Sequence, residues 1–361
     1  MFNPSRLTLA RKRRGMSKTA LAKAVDLDIR SISAFEDAEF SPASETLIGL
    51  ARVLRFPPEF FTGHDVDVPS AETASFRSLS RRTASQRDAA LGAGAIAFLL
   101  NDWLESRLDL PGVNVPDLSH CSPEGAAAAL RANWGIGELP IKNVIHLFEA
   151  HGIRIFSLGE MAEEIDAFSL WRNDLPFIFL NTSKSGERGR YDAAHELGHL
   201  VLHRRFAVEG RQAEDEANSF AAAFLMPERG VVASFRGLPS MHELLKVKKH
   251  WGISAMAMAF RLNKLKRISD WHYKTLCIDL ATKGYRRGEP DGLPRERSRV
   301  LEKVFDLLRS RGVSKANVCQ QLKLYPNELD GLVFGLATIA LEGGRVGAQT
   351  PSQMRRLRVV K

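Results

Sequence analysis

Two histidines four residues apart, with a glutamate after the first, stand at His195-Glu196-Leu197-Gly198-His199. On a helix both imidazoles lie one turn apart on one face, within reach of a single divalent metal. Glu196, next to the first ligand, can then meet a metal-bound water and take its proton. Zinc brings the pKa of such a water toward ~7, so a carboxylate suffices as general base near neutrality.

A catalytic zinc takes three protein ligands and keeps one position open. The third ligand is sought downstream, in Gln212–Pro227. There Glu214, Ala217, Ala221 and Phe224 share one face at helical spacing. Small alanines on that face let this helix pack closely on the histidine helix, with Glu214 pointing at the metal. Glu216 lies on another face and is the second choice. His203 is eight residues beyond His195, or ~12 Å along a helix axis. One zinc can hardly hold both, so His203 is expected at the pocket edge, supporting a ligand, or on the surface.

Short apolar runs at Gly152–Phe156 and Pro176–Asn181 suit strands of a small sheet, and a polar loop, Thr182–Gly189, leads into the histidine helix. A long helix is predicted from Arg77 through the uncharged stretch Ala89–Leu100 to about Arg107, and two more at 125–134 and 141–151. That stretch is too short to cross a bilayer. The N-terminus has no apolar leader core, so a cytoplasmic protein without membrane association is expected. Cys121, Cys277 and Cys319 are odd in number and far apart, which suggests neither a disulfide framework nor a thiolate metal site.

The 361 residues suit two or three domains, and the net charge of +9 is unevenly spread. Residues 1–25 hold Arg6, Arg11, Lys12, Arg13, Arg14, Lys18 and Lys23 and no acid. Such a face is the footprint expected of phosphate contact. Short helical patterns fit between Ser5 and Phe61, with Gly15 closing the first, and Ser17 and Asp28 at N-cap positions. Leu21, Val25, Ile32 and Leu50 would fill the core between them. Arg30 and Ser33 then enter a major groove, while Lys18, Thr19 and the run Arg11, Arg13, Arg14 lie over phosphates.

The combination Met16-Ser17-x-x-x-Leu21-Ala22, Ile32-Ser33-Ala34-Phe35-Glu36 and Pro42-x-x-x-Thr46-Leu47 resembles the Cro and lambda-repressor-like (XRE) helix-turn-helix family. Two departures stand out: Asp26 where a turn glycine is usual, and Lys18-Thr19 where a contacting Gln is common. The second region resembles the ImmA/IrrE metallopeptidases, through His195-Glu196-Leu197-Gly198-His199, Glu214-x-x-Ala217-Asn218-x-Phe220-Ala221 and Leu225-Met226-Pro227. This resemblance implies zinc on His195, His199 and Glu214, with Glu196 as general base. It also implies links to stress or mobile-element control. Asp192 replaces a common Thr and is expected to change a bond behind the ligands.

The expected fold is mainly α with a small β-sheet (α+β). A helix-turn-helix bundle occupies 1–61, a linker and long helix 62–124, a zincin-like domain 125–285, and a helical bundle with a basic tail (Arg355, Arg356, Arg358, Lys361) 286–361. The expected function is a regulator bound to double-stranded DNA, possible as a homodimer, whose zinc endopeptidase cuts a repressor- or antitoxin-type partner. A transcription factor whose zinc-site domain only senses or binds a partner is the alternative, and a toxin–antitoxin component a weaker third.

Overall fold

The computed structural model describes residues 1–70, 83–159, 165–204, 210–237, 239–285, 288–289, 291–334 and 358–359. Four short helices come first: α1 (Pro4–Arg13), α2 (Lys18–Ala24), α3 (Ile29–Glu36) and α4 (Ser44–Leu54). A 3-10 turn at Pro58–Thr62, the long α5 (Ala84–Glu105) and strand β1 (Leu108–Asp109) follow. The middle of the chain forms α6 (Pro123–Asn133), α7 (Val144–Ala150), β2 (Arg154–Ser157), β3 (Ala167–Arg172) and β4 (Leu175–Leu180). Then come α8 (Gly186–Leu202), α9 (Arg211–Leu225), α10 (Glu228–Ala233), α11 (Met241–Trp251), α12 (Ala255–Lys264) and α13 (Asp270–Thr282). The last elements are α14 (Arg299–Ser310), α15 (Lys315–Leu322), α16 (Pro326–Leu332) and β5 (Arg358–Val359). The class is mainly α with a small sheet.

Two compact units arise, and neither is continuous in sequence. One comprises Met1–Gly112, Arg154–Asp166 and Ser298–Lys361, the other Val113–Ile153 and Ala167–Arg297. The helices from Ser298 onward, within the bundle expected over 286–361, share a unit with the N-terminal helices. Of the expected basic tail, Arg355, Arg356 and Lys361 lie outside the described residues, as does the start of the long helix at Arg77. Arg358 belongs to β5, which pairs antiparallel with β1. No described helix is long and apolar enough to cross a membrane.

In the first unit, the apolar stretch of α5 is a packing surface. Ala90, Ala93, Ala95 and Ala97 are fully buried. A side chain added at Gly92 would come within 3.0 Å of the Arg13 Cα, so α5 meets the backbone of α1 there. Gly15, at φ +62°, ends α1, and its carbonyl accepts from the Ser85 hydroxyl at 2.6 Å. Asp26 adopts φ +54° between α2 and α3; its short polar side chain is among those that tolerate this left-handed region.

The end of α1 is fastened from the far end of the chain. Arg13 Nε donates to Glu328 Oε1 at 2.6 Å and Arg14 Nη1 to Glu328 Oε2 at 2.8 Å. Arg14 also donates to the Leu54 and Arg55 carbonyls and lies over the Phe56 ring. Burial alone would push the Glu328 carboxyl up, but Arg13 and Arg14 more than reverse this and hold it below the ordinary 4.5.

The second unit is built on a hairpin and a helix pair. β3 and β4 are antiparallel, with Ser169 opposite Ile178. Their two-residue turn, Asn173-Asp174, has φ +48° and +60°, as a type I′ turn requires. Ser185 caps α8 by accepting from the Arg188 N–H. Further along α8, Arg190 pairs with Glu296, whose other oxygen accepts from the Val144 and Ile145 N–H groups at the start of α7. The charged 286–299 segment, read from sequence as a breaker, thus contributes the carboxylate that ties α7 to α8.

Replacing Glu328 with Ala should leave the buried Arg13 guanidinium without its carboxylate and cost about 3–5 kcal/mol, measurable by urea unfolding. Because the folded pKa of Glu328 lies below its unfolded value, its stabilisation is present above about pH 4.5 and is lost as pH falls through the folded pKa. The difference in stability between wild type and E328A should therefore shrink on acidification below that point.

Candidate metal centre and nucleic-acid interface

α8 and α9 come close together at Gly198. An added Cβ there would lie 3.1 Å from Phe220 Cδ1 and 3.2 Å from the Ala217 Cα. Ala217 and Ala221 are fully buried in the same contact face. This close approach is what lets side chains of two helices reach one point.

At that point stand His195, His199 and Glu214, one ligand atom from each within 4.8 Å of the others. Glu214 Oε2 is 3.4 Å from His195 Nε2, and Oε1 is 3.5 Å from His199 Nε2. The two Nε2 atoms are 3.1 Å apart. Both Nδ1 atoms turn outward: His195 Nδ1 lies 3.1 Å from Asn218 Oδ1, and His199 Nδ1 3.0 Å from His203 Nδ1. With the remaining ring proton on Nδ1, each Nε2 lone pair faces the carboxylate. Two imidazoles and one carboxylate, converging and largely buried, fit a divalent metal such as zinc.

The electrostatics agree with that fit. Burial would raise the Glu214 carboxyl, but the hydrogen bonds and charges of His195 and His199 bring it down to about 2. Burial would lower the His195 imidazole, and Glu214, Glu196 and Asp192 together turn the shift upward. Burial lowers His203 despite the opposing Glu216. Asp192 lies 3.4 Å from the Lys184 ammonium, so it adds a held negative charge behind His195.

Glu196 is buried beside the cluster, and the Ser169 hydroxyl donates to its Oε2 at 2.7 Å. Sequence reasoning found neither Ser169 nor its strand. β3 reads Ala-Phe-Ser-Leu-Trp-Arg, and its first four residues are all buried, so no apolar–polar alternation marks it. Glu216, the second choice for ligand, instead meets His203 Nε2 at 3.0 Å. Tyr191, whose hydroxyl donates to the Asn218 carbonyl at 3.2 Å, was also unforeseen; burial pushes its phenol up to about 12.

In the N-terminal helices, Leu21, Ile32 and Leu50 are fully buried, while Val25 is only half-buried. Thr19 and Arg30 are exposed, and Lys18 and Ser33 half-buried, with the Lys18 ammonium 3.3 Å from the Ser33 hydroxyl. The basic run at the end of α1 is placed otherwise. Arg11 donates twice to the Glu36 carboxylate, at 2.6 and 2.9 Å, and once to the Met16 carbonyl. Arg13 and Arg14 are held by Glu328. These three guanidinium groups are internal fasteners of the bundle, not a phosphate-facing row, because a carboxylate already occupies each of them. Of the remaining candidates Thr19 and Arg30 are exposed, while Lys18 lies within 3.7 Å of Glu36 and 3.9 Å of Asp37.

A Gly198→Ala change should force α8 and α9 apart by a few tenths of an ångström. We expect a stability loss of about 1–3 kcal/mol and weaker metal uptake, both measurable on the purified chain.

Residues 7–61 match the helix-turn-helix family, and residues 148–263 match the IrrE N-terminal-like domain of a peptidase family. No curated protein matches the chain. The chain therefore joins an XRE-type helix-turn-helix of DNA-binding regulators to a metallopeptidase-type domain of the IrrE/ImmA kind.

Proposed function

We propose that this protein is a cytoplasmic transcriptional regulator that uses a single zinc to cut a peptide bond in a partner of repressor or antitoxin type. The observation that carries the reading is the convergence of His195, His199 and Glu214, with the buried Glu196 carboxylate at their side. We further propose that 1–61 binds DNA, that 125–285 acts on the partner, and that 62–124 and 286–361 brace them.

His195 and His199 would hold the metal through Nε2, and Glu214 through its carboxylate. When bound, zinc supplies Lewis acidity to the scissile carbonyl and to attacking water. Glu196 takes the proton released by the water and passes it to the leaving amine, as a carboxylate fixed beside the reacting atoms can. Ser169 orients that carboxylate through Oε2, so the base is positioned before substrate arrives. Asn218 holds the His195 ring so that its lone pair points inward.

On the DNA side, Arg30 and Ser33 at the start of α3 would read bases, with Lys18 and Thr19 on the adjoining backbone. Binding as a homodimer to paired half-sites follows from how such helices read DNA.

Purified protein should hold about one zinc per chain, and Glu214→Ala should remove most of it. Glu196→Gln should keep the zinc while proteolysis of the partner falls by roughly 10²–10⁴-fold. If regulation persists unchanged in E196Q with zinc bound, hydrolysis is not the function and the domain acts as a sensor or partner-binding module. In a gel-shift assay Arg30→Ala should weaken operator binding by about 1–3 kcal/mol. Unchanged affinity would remove Arg30 from the interface.

A further inference from the structure

His203 is the residue just past the end of α8, one helical turn beyond His199, and its ring sits behind the His199 ring with centroids 5.1 Å apart. Its Nδ1 is 3.0 Å from His199 Nδ1, and its Nε2 is 3.0 Å from Glu216 Oε2. The other Glu216 oxygen accepts from the Gln212 amide at 2.9 Å. The His203 side chain is only 9% exposed, so water competes little for these contacts. α9 thus contributes twice: Glu214 reaches the metal ligands, and Glu216, two residues on, reaches the histidine behind one of them.

Proton placement gives this chain of contacts a direction. A histidine that offers its Nε2 lone pair to a metal keeps its proton on Nδ1, so His199 must donate from Nδ1. His203 Nδ1 must then accept, which leaves the His203 proton on Nε2. That proton faces the Glu216 carboxylate, an acceptor. One assignment therefore satisfies both contacts, whereas a proton on Nδ1 of His203 would set two donors against each other at 3.0 Å. His195 is held differently, by the neutral Asn218 amide oxygen.

We propose that His203 and Glu216 are positioning residues for the metal: through His199 they fix its tautomer and ring orientation and raise the electron density on its Nε2. Such supporting partners behind a ligand typically contribute 10–100-fold in metal affinity. The inference rests on the reading of His195, His199 and Glu214 as the zinc site. It assigns the two ligand histidines unequal donor strength, His199 being the stronger because a carboxylate stands behind its partner.

The test is the zinc dissociation constant of the full chain, by competition with a chromogenic chelator, for wild type, His203→Leu, His203→Asn and Glu216→Gln. His203→Leu should weaken zinc binding roughly 10–100-fold. His203→Asn, whose amide oxygen falls near the lost Nδ1, should recover most of it, and Glu216→Gln should lose only part. In zinc-loaded wild type labelled with ¹⁵N-histidine, NMR should find His203 protonated on Nε2 alone and His199 on Nδ1; this readout needs no variant to fold. Zinc held equally well by wild type and H203L, or a His203 proton found on Nδ1, overturns the inference while leaving the zinc site standing. A wild-type chain that takes up no zinc overturns the site reading itself, and this inference with it.

Discussion

The site depends on how closely two helices can approach. At Gly198 the α8 backbone lies against Ala217 and the edge of Phe220, so closely that a methyl group would displace them by a few tenths of an ångström. Only at that separation can a carboxylate from α9 and two imidazoles from α8 converge. The local sequence chemistry follows from this: glycine inside the histidine motif, alanines at 217 and 221, and bulk moved to Phe220 and Phe224, which are fully buried. Packing and ligand geometry are one constraint here, because the residues that set the distance alternate with those that use it.

Around that contact the domain arranges its polar groups in pairs. His195 and His199 each have a partner on the outer nitrogen, and the candidate base has a hydroxyl on one oxygen. A buried polar group without a partner is costly, so these pairings stabilise the site before any metal enters. They also leave the inward-facing atoms with a common target. The hairpin contributes Ser169 because a type I′ turn fixes its register against β4.

What the sequence made legible was whatever lies close together along the chain. The His195–His199 spacing is a helical repeat, and the Glu214, Ala217, Ala221 and Phe224 face follows from the same period. The serine and aspartate caps at Ser17 and Asp28 are visible as residue types at helix starts. What stayed hidden required knowing which distant segments meet. Ser169 lies on a strand with no alternation, and Glu296 sits in a stretch that reads as a charged loop. The basic run at the end of α1 misled for the same reason: Arg11, Arg13 and Arg14 look like a phosphate-binding row until Glu36 and Glu328 are brought beside them. Charge counted along a chain says nothing about which opposite charge will arrive from elsewhere.

The Glu328 contact has a temporal side as well. Arg13 and its carboxylate are 315 residues apart, and a chain is synthesised from its N-terminus at roughly 5–20 residues per second. On the ribosome, α1 therefore emerges on the order of tens of seconds before its counter-charge exists. During that interval the Arg13 guanidinium, which ends up buried, has no carboxylate from Glu328. Until α16 has been made, the end of α1 therefore lacks its carboxylate, and a chain truncated before residue 328 would never acquire it.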